Sequence, residues 1–215
     1  MTEPRDPFAN FQGVISSLEE IREHIGEPVP PVIAKVMDHI DSVSRAIVET
    51  SPFIIMASAT PEGYPDVSPK GDPVGFVKVL DEKYLAIPDR PGNKRVDTFR
   101  NLIENPYLAI LFLIPGKSET LRITGQARIV RDQKLRESMA IAGRVPEFAI
   151  VLHVQRVLIH CPKCVLRAKL WQPEEWPDSS NTAGIAEAMI AHAKLDATPE
   201  ELEVIAEREG LTKLY

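Results

Sequence analysis

The sequence predicts a mainly β fold, an antiparallel barrel flanked by helices before and after it. Two observations predict it. Between residues 52 and 160, short apolar or alternating runs follow one another through tight turns, with only one helical pattern among them. Outside that stretch, apolar residues recur at helical spacing.

The elements follow in chain order. Residues 1–50 read as an N-terminal helical segment. Ser16 and Glu19 are spaced as a capping box, and Leu18, Ile21 and Ile25 form one stripe. Pro28, Pro30 and Pro31 interrupt it. A second helix is expected over Val32–Ile40 and a third over Val43–Val48.

Residues 51–176 carry the barrel. Phe53–Ala59 is an apolar strand ended by the turn Thr60-Pro61-Glu62-Gly63. Asp66-Val67-Ser68-Pro69-Lys70-Gly71-Asp72 reads as a Pro/Gly connection that leaves one strand and re-enters another at Val74. Val74–Leu80 and Tyr84–Ile87 flank Asp81-Glu82-Lys83, a hairpin length. Val96, Phe99, Leu102 and Ile103 mark the inner helix. Tyr107–Ile114 is an apolar run stopped by Pro115-Gly116. Glu119–Val130 alternates, with Leu121 and Ile123 on one face and Thr120, Arg122 and Thr124 on the other. Phe148–Ile159 is the last long strand.

Residues 172–181 hold two prolines, serines and Asn181, as a linker does. Residues 177–215 form a C-terminal helical extension. In it, Thr198-Pro199-Glu200-Glu201 starts a helix and Gly210 stops it.

Composition narrows the function. There are 25 Lys+Arg against 31 Asp+Glu, a formal charge of −6. That balance argues against nucleic acid or an anionic membrane as the main partner. No apolar run approaches the ~20 residues that span a bilayer. Met1–Asn10 carries acids and prolines rather than the apolar core of a signal peptide. Cys161 and Cys164 are the only cysteines, so no disulfide framework exists. The expected location is the cytoplasm.

Against this acidic background, Ile87-Pro88-Asp89-Arg90-Pro91-Gly92-Asn93-Lys94-Arg95 is a cationic turn between a strand and a helix. A helix N-terminus offers unpaired N–H donors and a positive dipole, the setting of a phosphate site. Arg90, Lys94 and Arg95 add full charges, and Asn93 adds an amide. Lys70 reaches the same phosphate if its strand and that of the turn are neighbours, as consecutive strands in a meander often are. Thr120 and Arg122 project together from one strand face, where a long Arg can meet a phosphate or the carbonyls of a flat heterocycle.

His160-Cys161-Pro162-Lys163-Cys164 contains one C-x-x-C. Zinc needs about four ligands and no second cysteine pair exists; no βαβ pattern surrounds it as in a thioredoxin motif. No nucleophile elbow, zincin, P-loop or dinucleotide fingerprint is present. A phosphate grip without acid–base machinery points to a cofactor that performs the chemistry.

The order Ser68-Pro69-Lys70-Gly71-Asp72, Gly75-Phe76-Val77, Ile87 to Arg95, Asn105-Pro106, Leu111 to Gly116 and Glu119 to Ala127 resembles the flavin-nucleotide-binding proteins related to pyridoxamine 5′-phosphate oxidase. His160-Cys161-Pro162-Lys163, Leu170-Trp171 and Leu214-Tyr215 are similar to the same branch. The resemblance implies a split β-barrel of antiparallel Greek-key type that binds FMN at a homodimer interface. By that resemblance, Lys70, Arg90, Asn93, Lys94 and Arg95 hold the FMN phosphate. The backbone of Ile87 and Pro88 lines the isoalloxazine ring, Thr120 and Arg122 approach it, and Trp171 contributes from the second subunit.

Two departures separate the chain from pyridoxamine 5′-phosphate oxidase. An arginine stands there five residues before the counterpart of Lys70, where this chain has Pro65. Its substrate-binding arginine and histidine near the C-terminus have no counterpart. The implied function is an FMN-dependent oxidoreductase of unassigned substrate. The alternatives are a non-catalytic flavin sensor or carrier, or a deazaflavin or haem binder on the same barrel.

Overall fold

The structure, a computed structural model, describes residues 6–215, so the first five positions of the expected N-terminal segment lie outside the described residues. These residues fall into two compact units that divide after Lys35.

The first unit holds α1 (Leu18–Ile25) and α2 (Pro30–Ala34). Helix α1 is capped by Ser17, whose hydroxyl accepts from the Glu20 N–H at 3.2 Å. The cap therefore sits one residue later than the Ser16–Glu19 spacing predicted; Ser17 and Glu20 have the same spacing. Helix α2 begins at Pro30 instead of Val32, because proline fits the first helical position, where no N–H is needed. It ends at Ala34, well before the expected Ile40.

The second unit begins at Val36. Met37 exchanges backbone hydrogen bonds with Val157 at 3.0 and 2.7 Å, which gives the residues after Lys35 a sheet partner in place of a helix. Helix α3 (Ser42–Thr50) is capped by the Asp41 carboxylate on the Ser44 N–H at 2.8 Å. It buries Ile47 and Val48.

Seven strands form one antiparallel sheet: β1 (Phe53–Ala59), β2 (Pro65–Gly71), β3 (Lys78–Val79), β4 (Tyr84–Pro88), β5 (Tyr107–Leu113), β6 (Thr120–Val130) and β7 (Ala149–His160). Their order is β2-β1-β5-β6-β7-β4-β3, which leaves β2 and β3 as open edges. This is the split barrel. Inward residues of the central strands, Ile54, Met56, Leu85, Ile87, Leu108, Ile110, Phe112, Leu121, Ile123 and Leu152, are buried together.

Two sequence expectations fail in instructive ways. The Asp66–Asp72 connection is largely strand β2, paired with β1 along its length, Pro69 opposite Ile55. An edge strand tolerates proline because one side of its backbone needs no partner. Val74–Leu80 shrinks to the two-residue β3, although Phe76 and Val77 are buried in the core.

A β-bulge between Thr124 and Gly125 shapes the β6–β7 pair. Thr124 faces Arg156, whereas Gly125 faces Val154, so Gln155 is the extra residue. Because side chains alternate, one extra residue exchanges the two faces of β7. Val157 is inward on one side of the bulge; Val154, Leu152 and Ile150 are inward on the other.

Helix α4 (Asp97–Glu104) crosses the barrel mouth and buries Thr98, Asn101 and Leu102. The Asn101 amide donates to the Ser58 hydroxyl at 2.9 Å, with both residues 5% exposed. Asn101→Ala leaves that hydroxyl unpaired. It is expected to cost about 1–3 kcal/mol, read from denaturant unfolding.

The remaining helices are α5 (Gln133–Ser138), α6 (Lys163–Arg167), α7 (Ile185–Ala193) and α8 (Pro199–Arg208), with a 3₁₀ turn at Pro173–Glu175. The short α5 and α6 carried too few apolar positions to show a period. Helix α8 has the expected box: the Thr198 hydroxyl accepts from Glu201 N–H, and the Glu201 carboxylate accepts from Thr198 N–H. Among the described residues no helix is long and apolar enough to cross a membrane.

Candidate functional site

A cavity of about 600 Å³ opens between the edge strand β2 and the loop that joins β4 to α4. Asp66, Ser68 and Lys70 reach it from β2, and residues 89–99 form the opposite wall. The three β2 residues share a face because they alternate along the strand; their partners on β1 are the inward Ser58, Met56 and Ile54. Lys70 thus meets the cationic turn across the barrel opening. Strands β2 and β4 are not neighbours in the sheet, as the sequence reading had required.

The loop has an unusual backbone. Lys94 and Val96 have φ of +62° and +55°, in the left-handed region. That region is rare for a β-branched residue, and such strain concentrates at ligand clamps. The Asn93 side-chain oxygen accepts from the Arg95 N–H at 3.0 Å and holds the turn. Val96 offers no capping side chain, so no side chain caps the first amides of α4. Asp97, Thr98 and Phe99 bring that uncapped turn to the cavity.

The cations are not equivalent. Arg95 Nε lies 2.7 Å from the Asp97 carboxylate. Arg90 Nε lies 2.5 Å from Asp72, and its Nη2 donates to the Met139 carbonyl at 2.9 Å. The Asp72 side chain is only 1% exposed. Its other oxygen accepts from the Tyr215 hydroxyl at 2.8 Å, and the Arg90 guanidinium lies 5.9 Å from the centre of the Tyr215 ring. That hydrogen bond pushes the Tyr215 phenol upward. Arg144 donates in turn to the Tyr215 carbonyl. Arg90 therefore lines the cavity with its guanidinium already held by Asp72 and the Met139 carbonyl.

Lys70 and Lys94, by contrast, have no ion-pair partner among the described residues. The Lys70 ammonium donates to the Ser68 hydroxyl at 2.6 Å.

The cavity also holds carboxylates that sequence reasoning did not assign: Asp66, Asp89 and Asp97. Asp66 and Ser68 had a signal, a polar residue at every second position before Lys70, but Pro65 and Pro69 disguised it as a loop. Burial pushes the Asp89 carboxyl above its usual range, while Lys70, the Arg90 backbone N–H and the Arg90 charge act against that rise. The folded chain thus holds this proton more tightly than the unfolded chain. Stability falls as pH rises from 3.8 through the raised value and stays lowered at neutral pH. Asp89→Asn is expected to raise Tm at pH 7, with the gain shrinking as pH falls through the raised value toward 3.8 and small below it. Thermal scans across pH check it; an equal gain at both ends would refute the titration account.

The other residues singled out in the sequence lie elsewhere. Ile87 is buried with its side chain in the core, and Pro88 pairs with Ala149 just before the cavity wall begins. Thr120 is buried at the start of β6, opposite His160. Arg122 is half-buried on the outer face of the sheet, in one row with Ile55 and Leu111. The Trp171 indole donates to the Lys117 carbonyl at 2.8 Å. None of these five lines the 600 Å³ cavity.

The fold and site together define an antiparallel split barrel with a cavity, lined by both cations and carboxylates, beside its open edge strand β2. The chain belongs to the pyridoxamine 5′-phosphate oxidase family, whose model matches residues 40–161, more than half of its length. Solved structures to which the chain is similar include a histidine-to-alanine variant of HupZ from Group A Streptococcus. It is 18% identical, with a TM-score of 0.46, over 56% of this chain and 99% of that one. A pyridoxamine 5′-phosphate oxidase-like protein from Lactobacillus delbrueckii is 17% identical, with a TM-score of 0.45, over 57% and 95%. A related FMN-binding protein from Nostoc punctiforme is 15% identical, with a TM-score of 0.37, over 52% and 73%. No curated protein matches the chain.

Proposed function

We propose that this chain binds FMN and acts as a flavin-dependent oxidoreductase. The observation that carries the reading is the pair Lys70 and Lys94, two ammonium groups without an ion-pair partner among the described residues, beside the start of α4 in one cavity. Family membership and the ordered motifs support it. The residues fit the group: 600 Å³ is within the range of small-molecule sites. Lys70, Asn93, Lys94 and Arg95 would hold the phosphate. Arg90, held by Asp72, would keep the wall in place rather than donate to the ligand. Ile87 and Pro88 through their backbone, with Thr120, Arg122 and Trp171, are the candidates for the flavin ring. When bound, the flavin supplies hydride and electron transfer.

The site would be shared by two copies of the chain. The outer face of the sheet supports this, since Phe53, Val67 and Tyr107 are exposed there and Ile55 and Leu111 only half-covered. A second copy on that face would shield apolar area and enclose Arg122. A dimer by light scattering is expected.

The visible spectrum of the purified protein, with chromatography of any released chromophore, tests the reading. Released FMN supports it; protein that neither carries nor takes up added FMN refutes it. Among the described residues no histidine, cysteine or tyrosine lines the cavity, which favours a second reading, a passive flavin carrier. Repeated reduction by nicotinamide nucleotide and reoxidation by oxygen would exclude a carrier.

A further inference from the structure

We propose that Cys161 and Cys164 form a reversible dithiol–disulfide pair that reacts with small anionic disulfides. The sequence offered no helix for this C-x-x-C to open, but the structure supplies one. Strand β7 ends at His160, and α6 begins at Lys163. Pro162 has φ −74° and ψ −7°, so it and Lys163 are both right-handed helical. Two such residues between the cysteines bring their Cα atoms to roughly 5 Å, from the helix rise and radius. That separation is within the range a disulfide spans. Residues three apart also share a helix face.

The turn is held in place without the sulfurs. The Leu166 N–H bonds to the Pro162 carbonyl and the Ala168 N–H to the Cys164 carbonyl, both at 3.0 Å. Val165 alone of α6 is buried. Both cysteines are free and exposed, so an external disulfide is within reach of either sulfur. Lys163 stands between them and Arg167 follows, a cationic approach that suits an anionic disulfide such as that of glutathione; Lys169 is paired with Glu175 at 2.7 Å.

The reaction balances by exchange. One cysteine thiolate attacks a sulfur of glutathione disulfide and releases one glutathione thiolate, leaving a mixed disulfide. The second cysteine thiolate then attacks the protein sulfur and releases the second glutathione. Two protein thiols are oxidised, one external disulfide is reduced to two thiols, and the two protons pass to the released thiolates and solvent. A bond that is exposed and closes so short a loop is expected to be readily reducible.

The experiment uses the reduced 215-residue chain, in which these are the two cysteines. After exposure to glutathione disulfide, the wild type is expected to lose both titratable thiols and two hydrogens in mass, retain no glutathione, and recover both thiols with dithiothreitol. Cys161→Ser and Cys164→Ser should each trap one glutathione, since the resolving sulfur is missing. Wild-type protein that keeps its thiols free, retains glutathione without closing, or cross-links between chains overturns the proposal. This outcome does not depend on flavin binding.

Discussion

Lys70→Ala combined with Lys94→Ala is expected to weaken FMN binding by about 10²–10⁴-fold. Each charge-assisted hydrogen bond contributes about 1.5–3 kcal/mol, or roughly ten- to 150-fold. Among the described residues neither lysine forms an ion pair, and Lys70 acts on the nearby Asp89 charge, so both ammonium groups are open to a bound phosphate. Arg95→Ala should cost less, because Asp97 already occupies its guanidinium. Arg90→Ala should act mainly on stability, because its loss strands the buried Asp72 carboxylate. Calorimetric titration of the three purified variants ranks the lysine pair against Arg95 and Arg90. Unchanged affinity in the lysine double variant would place the phosphate elsewhere.

Gly125→Ala is expected to destabilise the barrel by about 3 kcal/mol, at the upper end of what overpacking costs. A methyl group there would overlap the His153 carbonyl oxygen and sit 2.9 Å from its carbon. Both belong to backbone in the β6–β7 ladder, so relief requires the two strands to part. The position is also the bulge that exchanges the faces of β7. Urea unfolding measures the cost; a change below about 1 kcal/mol would show that the bulge migrates freely.

Much of this was legible in the residues. The long strands β1, β5, β6 and β7 carry period-two burial, and the sequence placed them to within a residue or two. The cationic turn was legible because Gly, Asn and three cations interrupt an apolar context. Edge strand β2 was not. Its two prolines follow the rules of a loop, and only pairing with β1 makes them compatible with a sheet. The unequal status of the cations was also hidden. Arg90 finds Asp72 18 residues away, and Tyr215 finds it 143 residues away; no local pattern announces either contact. The position of Lys70 opposite the turn arises from the open seam of the barrel, which is set by strand order.

The hydrogen bond between Asp72 and Tyr215 also imposes an order in time. At roughly 5–20 residues per second, a ribosome takes on the order of ten seconds or more to add the 143 residues between them. Through that interval Asp72 and Arg90 can meet, but one oxygen of the carboxylate waits for its donor. The strands of the barrel are all synthesised before Tyr215. The wall of the cavity therefore receives its final bond after the scaffold is complete, and a nascent chain stalled in α8 carries every strand with that wall unfinished.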